Sequence, residues 1–126
     1  MIHLERKNYA QLGTVIAPYV HAVKHNDTLY VSGLTAFGSA AQGQDMASQT
    51  QEIFRQLKVI AAAENTTLSA LIKVTIFVTS LDALPALREV LFANVEESLP
   101  ASSLVQVSGL FSPDLNVEIE AVLALD

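Results

Sequence analysis

The stretch "VEIEAVLAL" at residues 117–125 decides the predicted fold, because its side chains alternate in the manner of a β-strand. One face of this strand is continuously apolar, with valine, isoleucine, alanine and leucine at every second position. The other face begins with Glu118 and Glu120 but continues with Val122 and Ala124. Since both faces are substantially apolar, we expect helices of this chain to cover one of them and other subunits to meet the second.

The sequence upstream of this strand predicts four more strands and two helices. One helix is expected from about residue 46 to about residue 63, where apolar side chains recur at helical spacing. A second helix is capped by Asp82, has Pro85 in its first turn and ends before Pro100. β-branched or alternating runs bounded by turn formers predict strands at residues 19–24, 28–32, 70–80 and 103–107. The predicted order is β-β-α-β-α-β-β, and a short extra strand before the first hairpin stays open.

Length and composition limit the classes of protein to consider. The 126 residues predict a single domain over residues 1–126, and 51% hydrophobic residues again favour burial between subunits. The chain has 13 Asp and Glu but only seven Lys and Arg, which are scattered along the sequence, so we expect no nucleic-acid partner. The start "MIHLERKNYAQ" is too charged for a signal peptide, and no apolar run approaches the roughly 20 residues of a membrane span. We therefore expect no membrane partner and a cytoplasmic location.

Few residues point to chemistry on their own. The chain has no cysteine, phosphate-binding loop or nucleophile elbow, and His21 and His25 lack a third ligand, so no metal site is predicted. Glu118 and Glu120 are the best local indication of acid–base chemistry, because carboxylates among apolar neighbours are costly unless hydrated, paired or used. The same alternation is typical of a solvated strand edge, and both interpretations stay open at this point.

Six blocks of the chain occur in a distinctive order. They are "APYVHAV", "LYVSG", "QTQEIFRQLKVIAAAE", "IKVTIFVTSL", "LPASSLVQV" and "VEIEAVLAL". In this order and spacing the chain resembles the reactive-intermediate deaminase family, also called the RidA or YjgF family. The resemblance implies a chorismate-mutase-like α/β (α+β) fold, in which two helices pack on one face of a mixed sheet. It also implies a homotrimer with a central β-barrel and with ligand clefts between subunits.

The resemblance further implies an activity and a set of site residues. Active members of the family hydrolyse enamine and imine intermediates to 2-keto acids and ammonia, and they need no metal or cofactor. Carried over to this sequence, Glu118 orients or activates the attacking water, Tyr19 lines the cleft, and Gly33 offers its backbone to the substrate. The loop before the strand predicted at residues 103–107 is expected to hold the substrate anchor at Ser102, and Ser102 and Ser103 are both expected to bind the substrate.

One departure from the family pattern affects that anchor. Active deaminases have an arginine after "PA" that grips the substrate carboxylate, and Ser102 occupies this position here. Arg88 could replace the lost charge from another direction, or it could be a solvated residue or an ion-pair partner of Glu89 or Glu96. The main expectation is therefore a cofactor-independent imine deaminase that binds the substrate carboxylate differently from active family members. The alternative is a catalytically silent or altered-specificity small-molecule-binding or regulatory trimer, whereas RNA cleavage is not expected for this acidic chain.

Overall fold

Six strands form one mixed sheet, with two helices packed on one face, in the computed structural model, which describes residues 1–126. The strands are β1 (Glu5–Lys7), β2 (Ala22–His25), β3 (Thr28–Leu34), β4 (Leu71–Val78), β5 (Ala101–Gln106) and β6 (Val117–Ala124). The helices are α1 (Met46–Ala63) and α2 (Leu84–Val95). The strands lie in the order β1-β2-β3-β6-β4-β5, and every neighbouring pair is antiparallel except β4 and β5. The predicted fold class is therefore confirmed.

The apolar face of β6 lies in the main core, as its alternation predicts. Its four inward residues are fully or almost fully buried, and the apolar stripe of α1 belongs to the same core cluster. In β4, three side chains in register with β6 complete this layer. The core residues of these elements include Val117, Ile119, Ala121 and Leu123 of β6, Val74, Ile76 and Val78 of β4, and Ile53, Phe54, Leu57 and Ile60 of α1.

The opposite face of the sheet is apolar and only partly buried within one chain. Tyr30 pairs with Val122 across β3 and β6, while Phe77 pairs with Val105 across β4 and β5. Tyr30 and Val105 are exposed, and Phe77 and Val122 are half-buried. This arrangement matches the prediction that β6 has two apolar faces of which the helices cover one.

The predicted N-terminal and C-terminal limits agree with the structure for α1, whereas the predicted N-cap of α2 does not. The predicted limits of α1 are those observed, and its first turn is closed by Asp45, whose Oδ1 accepts a hydrogen bond from the Ser48 backbone N–H at 2.8 Å. The prediction that Asp82 caps α2 is wrong. The Asp82 N–H donates instead to Ser80 Oγ at 3.1 Å in a preceding turn, and Ala83 is the N-cap without a side-chain bond. Neither helix combines the length and the apolar composition that a membrane crossing requires.

The first hairpin begins later than predicted. β2 starts at Ala22, and the backbone before it bonds to Asn8, whose side-chain Oδ1 accepts a hydrogen bond from the His21 N–H at 3.1 Å. The short extra strand that the sequence leaves open is present as β1, which pairs with β2. The N-terminal segment thus extends the sheet and fixes the chain that leads into β2.

Candidate functional site

An open cavity of about 1040 Å³ lies beside the end of β3. Its walls come from residues 11–19 and His21, from the end of β3 and the loop after it, from one turn of α1, and from Phe111 and β6. Of the site residues predicted from the sequence, Tyr19, Gly33 and Glu118 line this cavity. The structure therefore brings together three residues that lie in separate parts of the chain.

Gly33 and Glu118 are in close contact where β3 is irregular. The pairing of β3 with β6 shifts register between Val31 and Leu34, so that Gly33 lies against the Glu118 side chain. A Cβ atom added at Gly33 would overlap Glu118 Oε2 and would lie 2.8 Å from Cδ of the same side chain. Gly33 is thus required for the position of the carboxylate, and this positioning role follows from space and not from backbone strain.

The Glu118 carboxylate is available for chemistry. No protein group donates a hydrogen bond to it, although the side chain is half-buried on a wall of the cavity. Burial raises the pKa of the Glu118 carboxyl above its ordinary value, and the charge of Glu120 raises it further. A carboxylate with open lone pairs and a raised pKa can accept a hydrogen bond and then a proton from water more readily than an ordinary surface glutamate.

Tyr19 is held at the cavity by its neighbours in the chain. The segment that contains it is tied to β3, since Ser32 Oγ donates to the Val20 carbonyl at 2.6 Å and the Ser32 N–H donates to the His21 carbonyl at 3.0 Å. The Tyr19 side chain is exposed and its ring lies on the cavity wall. Tyr19 is therefore placed to contact a ligand that enters from solvent.

The histidines of the hairpin have different surroundings. His21 is buried and stacks on Tyr9 at a ring distance of 5.9 Å, and its Nδ1 accepts a hydrogen bond from the Tyr9 N–H at 2.9 Å. Burial lowers the pKa of His21, which favours the neutral imidazole. His25 is exposed at the turn, and no group of three His, Cys, Asp or Glu side chains is arranged to hold a metal ion.

Ser102 and Ser103 lie elsewhere in the chain, within strand β5. The expectation that Ser102 belongs to a loop is wrong, because β5 begins at Ala101 and pairs in parallel with β4. Ser103 lies in a strand, as the strand predicted at residues 103–107 requires. Ser102 is in register with Val74 and Ser103 with Thr75, so the two serines point to opposite faces of the sheet. All of β5 is exposed at the sheet edge, separated from β6 by β4, and neither serine lines the cavity.

Arg88 is also absent from the cavity of its own chain. It lies on the exposed side of α2, and it forms no ion pair with Glu89 or Glu96. One protomer therefore assembles Tyr19, Gly33 and Glu118, but it does not bring Arg88 or the serines of β5 to them.

The cavity contains charged groups that the sequence did not identify as site residues. Arg55 is the only Lys or Arg on its wall, and its Nε and Nη2 donate to the two Glu52 carboxylate oxygens at 2.8 and 2.9 Å. Gln56 donates to Glu52 at 2.8 Å and to the Thr35 carbonyl at 2.9 Å. The hydrogen bonds from Arg55 lower the pKa of Glu52. The spacing of three residues between Glu52 and Arg55 on a helix was the available signal for this pair.

Two phenylalanines form the apolar side of the cavity. The ring centroids of Phe37 and Phe111 lie 5.2 Å apart and the rings are inclined by 60°, a tilted arrangement at a distance typical of interacting aromatic pairs. Phe37 follows β3 and Phe111 precedes β6, and both remain more than half exposed. The sequence gives no periodic signal for this pair, because each residue lies in a loop.

Comparison with known proteins relates this chain to one family. The family model described as endoribonuclease L-PSP matches residues 11–125 of this chain. The 2-iminobutanoate/2-iminopropanoate deaminase of Dermatophagoides farinae is 28% identical over 116 residues, which cover 88% of each chain. The 3-aminoacrylate deaminase RutC of Acinetobacter baylyi is 32% identical over 110 residues, which cover 85% of this chain and 86% of that protein.

A solved structure agrees in both fold and sequence. The crystal structure of RidA from an Antarctic Psychrobacter species shares 30% sequence identity with this chain and superposes with a TM-score of 0.80. The matched region covers 89% of this chain and 92% of that one. The similarity therefore extends over most of the chain, and the residues of the family match include strands β2 to β6 and both helices.

Proposed function

Because the chain belongs to the endoribonuclease L-PSP family, which includes the RidA and YjgF proteins, we propose that it hydrolyses small imines or enamines to a carbonyl compound and ammonia. The observation that carries this proposal is the Glu118 carboxylate, which is half-buried in the cavity wall and accepts no hydrogen bond from the protein. Relatives named as imine and aminoacrylate deaminases support the reaction class.

In the proposed reaction, Glu118 acts on water. The carboxylate accepts a hydrogen bond from a water molecule and takes its proton as the oxygen attacks the imine carbon. Gly33 keeps the carboxylate in place because any side chain there would occupy the same space. Tyr19 and the Gly33 backbone contact the ligand beside this water. No metal or cofactor takes part in these steps.

The second half of the site would come from another subunit. The exposed strand β5, with Ser102 and Ser103, and the exposed side of α2, with Arg88, are absent from the cavity of their own chain. A neighbouring subunit could bring Arg88 and one of the two serines, which point to opposite faces of the sheet, to the cavity. The site would then be a cleft between subunits of a homotrimer.

We expect the protein to be a homotrimer in solution. The open sheet face, which exposes Tyr30 and Val105 beside half-buried Phe77 and Val122, favours burial between subunits, and the resemblance to the RidA family implies that three subunits close the assembly. Light scattering at micromolar concentration measures this directly and should give three times the mass of one 13.5 kDa chain. A monomer at that concentration would rule out the shared cleft.

The activity is tested by forming an imine in the presence of the protein, with an amino-acid oxidase or a dehydratase as its source. The imine should disappear faster than it does spontaneously, in proportion to the concentration of this protein. If the rate equals the spontaneous rate for every imine supplied, the proposed deaminase activity is wrong.

Ser102 favours one alternative function. Without the arginine of active deaminases, the chain could be a silent or altered-specificity small-molecule-binding or regulatory trimer. Binding of a small molecule in the cleft without turnover would support this alternative. RNA cleavage is not proposed, because the only Lys or Arg of the cavity is bonded to Glu52 and the chain carries a net charge of -6.

A further inference from the structure

The charges of the cavity disfavour a carboxylate ligand. Its only Lys or Arg, Arg55, is neutralised by two short hydrogen bonds to Glu52, and Gln56 holds Glu52 in place. The remaining charge on the wall is the Glu118 carboxylate, which has no cationic partner. On the side of the cleft that this protomer supplies, an anionic ligand would therefore meet a wall of net negative charge, whereas a protonated imine would be attracted to it.

The mouth of the same cavity is apolar. Four large side chains on its wall are more than half exposed: Ile16, Tyr19, Phe37 and Phe111. Phe37 and Phe111 are 59% and 69% exposed although their rings contact each other. Large apolar side chains that remain exposed around a concave polar site are typical of ligand-binding surfaces. The cavity thus combines an uncompensated carboxylate with an aromatic rim.

Given the proposed function, we infer that this site takes imines that carry a bulky apolar group and no carboxylate. The apolar group would lie on the rings of Phe37 and Phe111, and the protonated imine nitrogen would face the Glu118 carboxylate. Such imines arise from the two-electron oxidation of primary amines with an aryl or large alkyl group. Position 102 holds serine in place of the arginine of active deaminases, which agrees with this ligand class because such a ligand has no carboxylate to bind.

The reaction of this ligand class balances without a further reactant. Water adds to the carbon of R–CH=NH₂⁺, the electron pair of the C=N bond moves to nitrogen, and Glu118 takes one proton from the water. That proton passes from Glu118 to the nitrogen, and the C–N bond breaks to release ammonia. As the C=O bond forms, Glu118 takes the second proton of the former water from the oxygen and passes it to this ammonia. The products are R–CHO and NH₄⁺, with no oxidation or reduction.

Four imines separate the effect of the carboxylate from the effect of the apolar group. Oxidation of phenylethylamine and ethylamine by an amine oxidase gives imines without a carboxylate. Oxidation of phenylalanine and alanine by an amino-acid oxidase gives the matched imines with one. We expect the acceleration over the spontaneous rate to be greatest for the phenylethylamine product, by about tenfold or more over the phenylalanine product.

Variants test the role of the aromatic rim. Phe37→Ala combined with Phe111→Ala should reduce the acceleration for the phenylethylamine imine by about tenfold and leave the ethylamine imine nearly unchanged. Replacing both residues with leucine should restore most of the loss, which separates an apolar contact from a folding defect. Ile2→Ala is the matched control, because Ile2 is 80% exposed and does not line the cavity.

The possible results distinguish this inference from the proposed function. Faster turnover of the imine from phenylalanine or alanine than of the imine from the matching amine would overturn the inference, but the proposed deaminase function would remain. Equal loss of all four reactions in the double alanine variant, together with dissociation of the oligomer, would show that Phe37 and Phe111 form a subunit contact and would also overturn it. No acceleration of any imine would refute both proposals.

Discussion

Replacement of Glu118 by glutamine is expected to lower imine hydrolysis by about 100-fold or more, because an amide cannot take a proton from water and general base catalysis typically contributes at least this factor. Glutamine has nearly the same shape, so the contact with Gly33 and the fold should persist. The measurement is the rate of imine loss above the spontaneous rate, compared between the two proteins at equal concentration.

The matched control for this variant is Glu120→Gln. Glu120 lies two residues along β6, on the same face, but it does not line the cavity. Its replacement removes one carboxylate from the same surface and should retain most of the activity. If Glu118→Gln stays within about threefold of the unmodified protein, the Glu118 carboxylate does not handle the water.

Replacement of Ser102 by arginine is expected to improve the use of 2-imino acids by about 10- to 100-fold. A bidentate pair with a carboxylate supplies two charge-assisted hydrogen bonds, whereas serine supplies one neutral hydrogen bond. The gain should appear mainly as a lower KM for the 2-imino acid. It should disappear when Glu118→Gln is introduced into the same chain, since binding without water activation gives no turnover.

Ser103→Arg is a close control for this gain. It adds the same charge to the next residue of β5, but its side chain points to the opposite face of the sheet. An equal gain in both variants would indicate general electrostatic attraction and not a specific anchor. If Ser102→Arg and the unmodified protein both fail to hydrolyse imines, the small-molecule-binding trimer becomes the better account.

Arg88→Ala tests the other proposed source of positive charge. If Arg88 of a neighbouring subunit already anchors the carboxylate, the unmodified protein should use 2-imino acids well and this variant should lose that ability. If Arg88 is only a solvated residue of α2, the variant should retain its activity. The second result is expected from the preference for ligands without a carboxylate.

Local patterns were sufficient to predict most of the fold. The limits of α1 follow from its apolar spacing, and the alternation of β6 predicts both its buried face and the open apolar face. Signals at element ends were less reliable, because they depend on competition between neighbouring groups. At α2, Ser80 binds the backbone of Asp82 in a preceding turn, so the expected cap does not form.

The candidate site could be predicted only in part. The resemblance placed Tyr19, Gly33 and Glu118, which the structure brings to one cavity. The contact between Gly33 and Glu118 depends on a bulge in β3, and a sequence pattern does not specify the register of two distant strands. The pair of Phe37 and Phe111 joins two loops, so the sequence contains no local spacing that predicts it.

The dependence of the reaction on pH tests the action of Glu118 on water most directly. The ratio of catalysed to spontaneous rate should be measured from about pH 4 to about pH 8 for the unmodified protein and for Glu120→Gln. Glu118 must be ionised to accept a proton, so the ratio should fall on acidification, with a midpoint above the ordinary glutamate pKa of 4.5 because burial and Glu120 raise it. Glu120→Gln should move this midpoint to lower pH. A ratio that stays constant down to pH 4 would contradict the proposed role of Glu118.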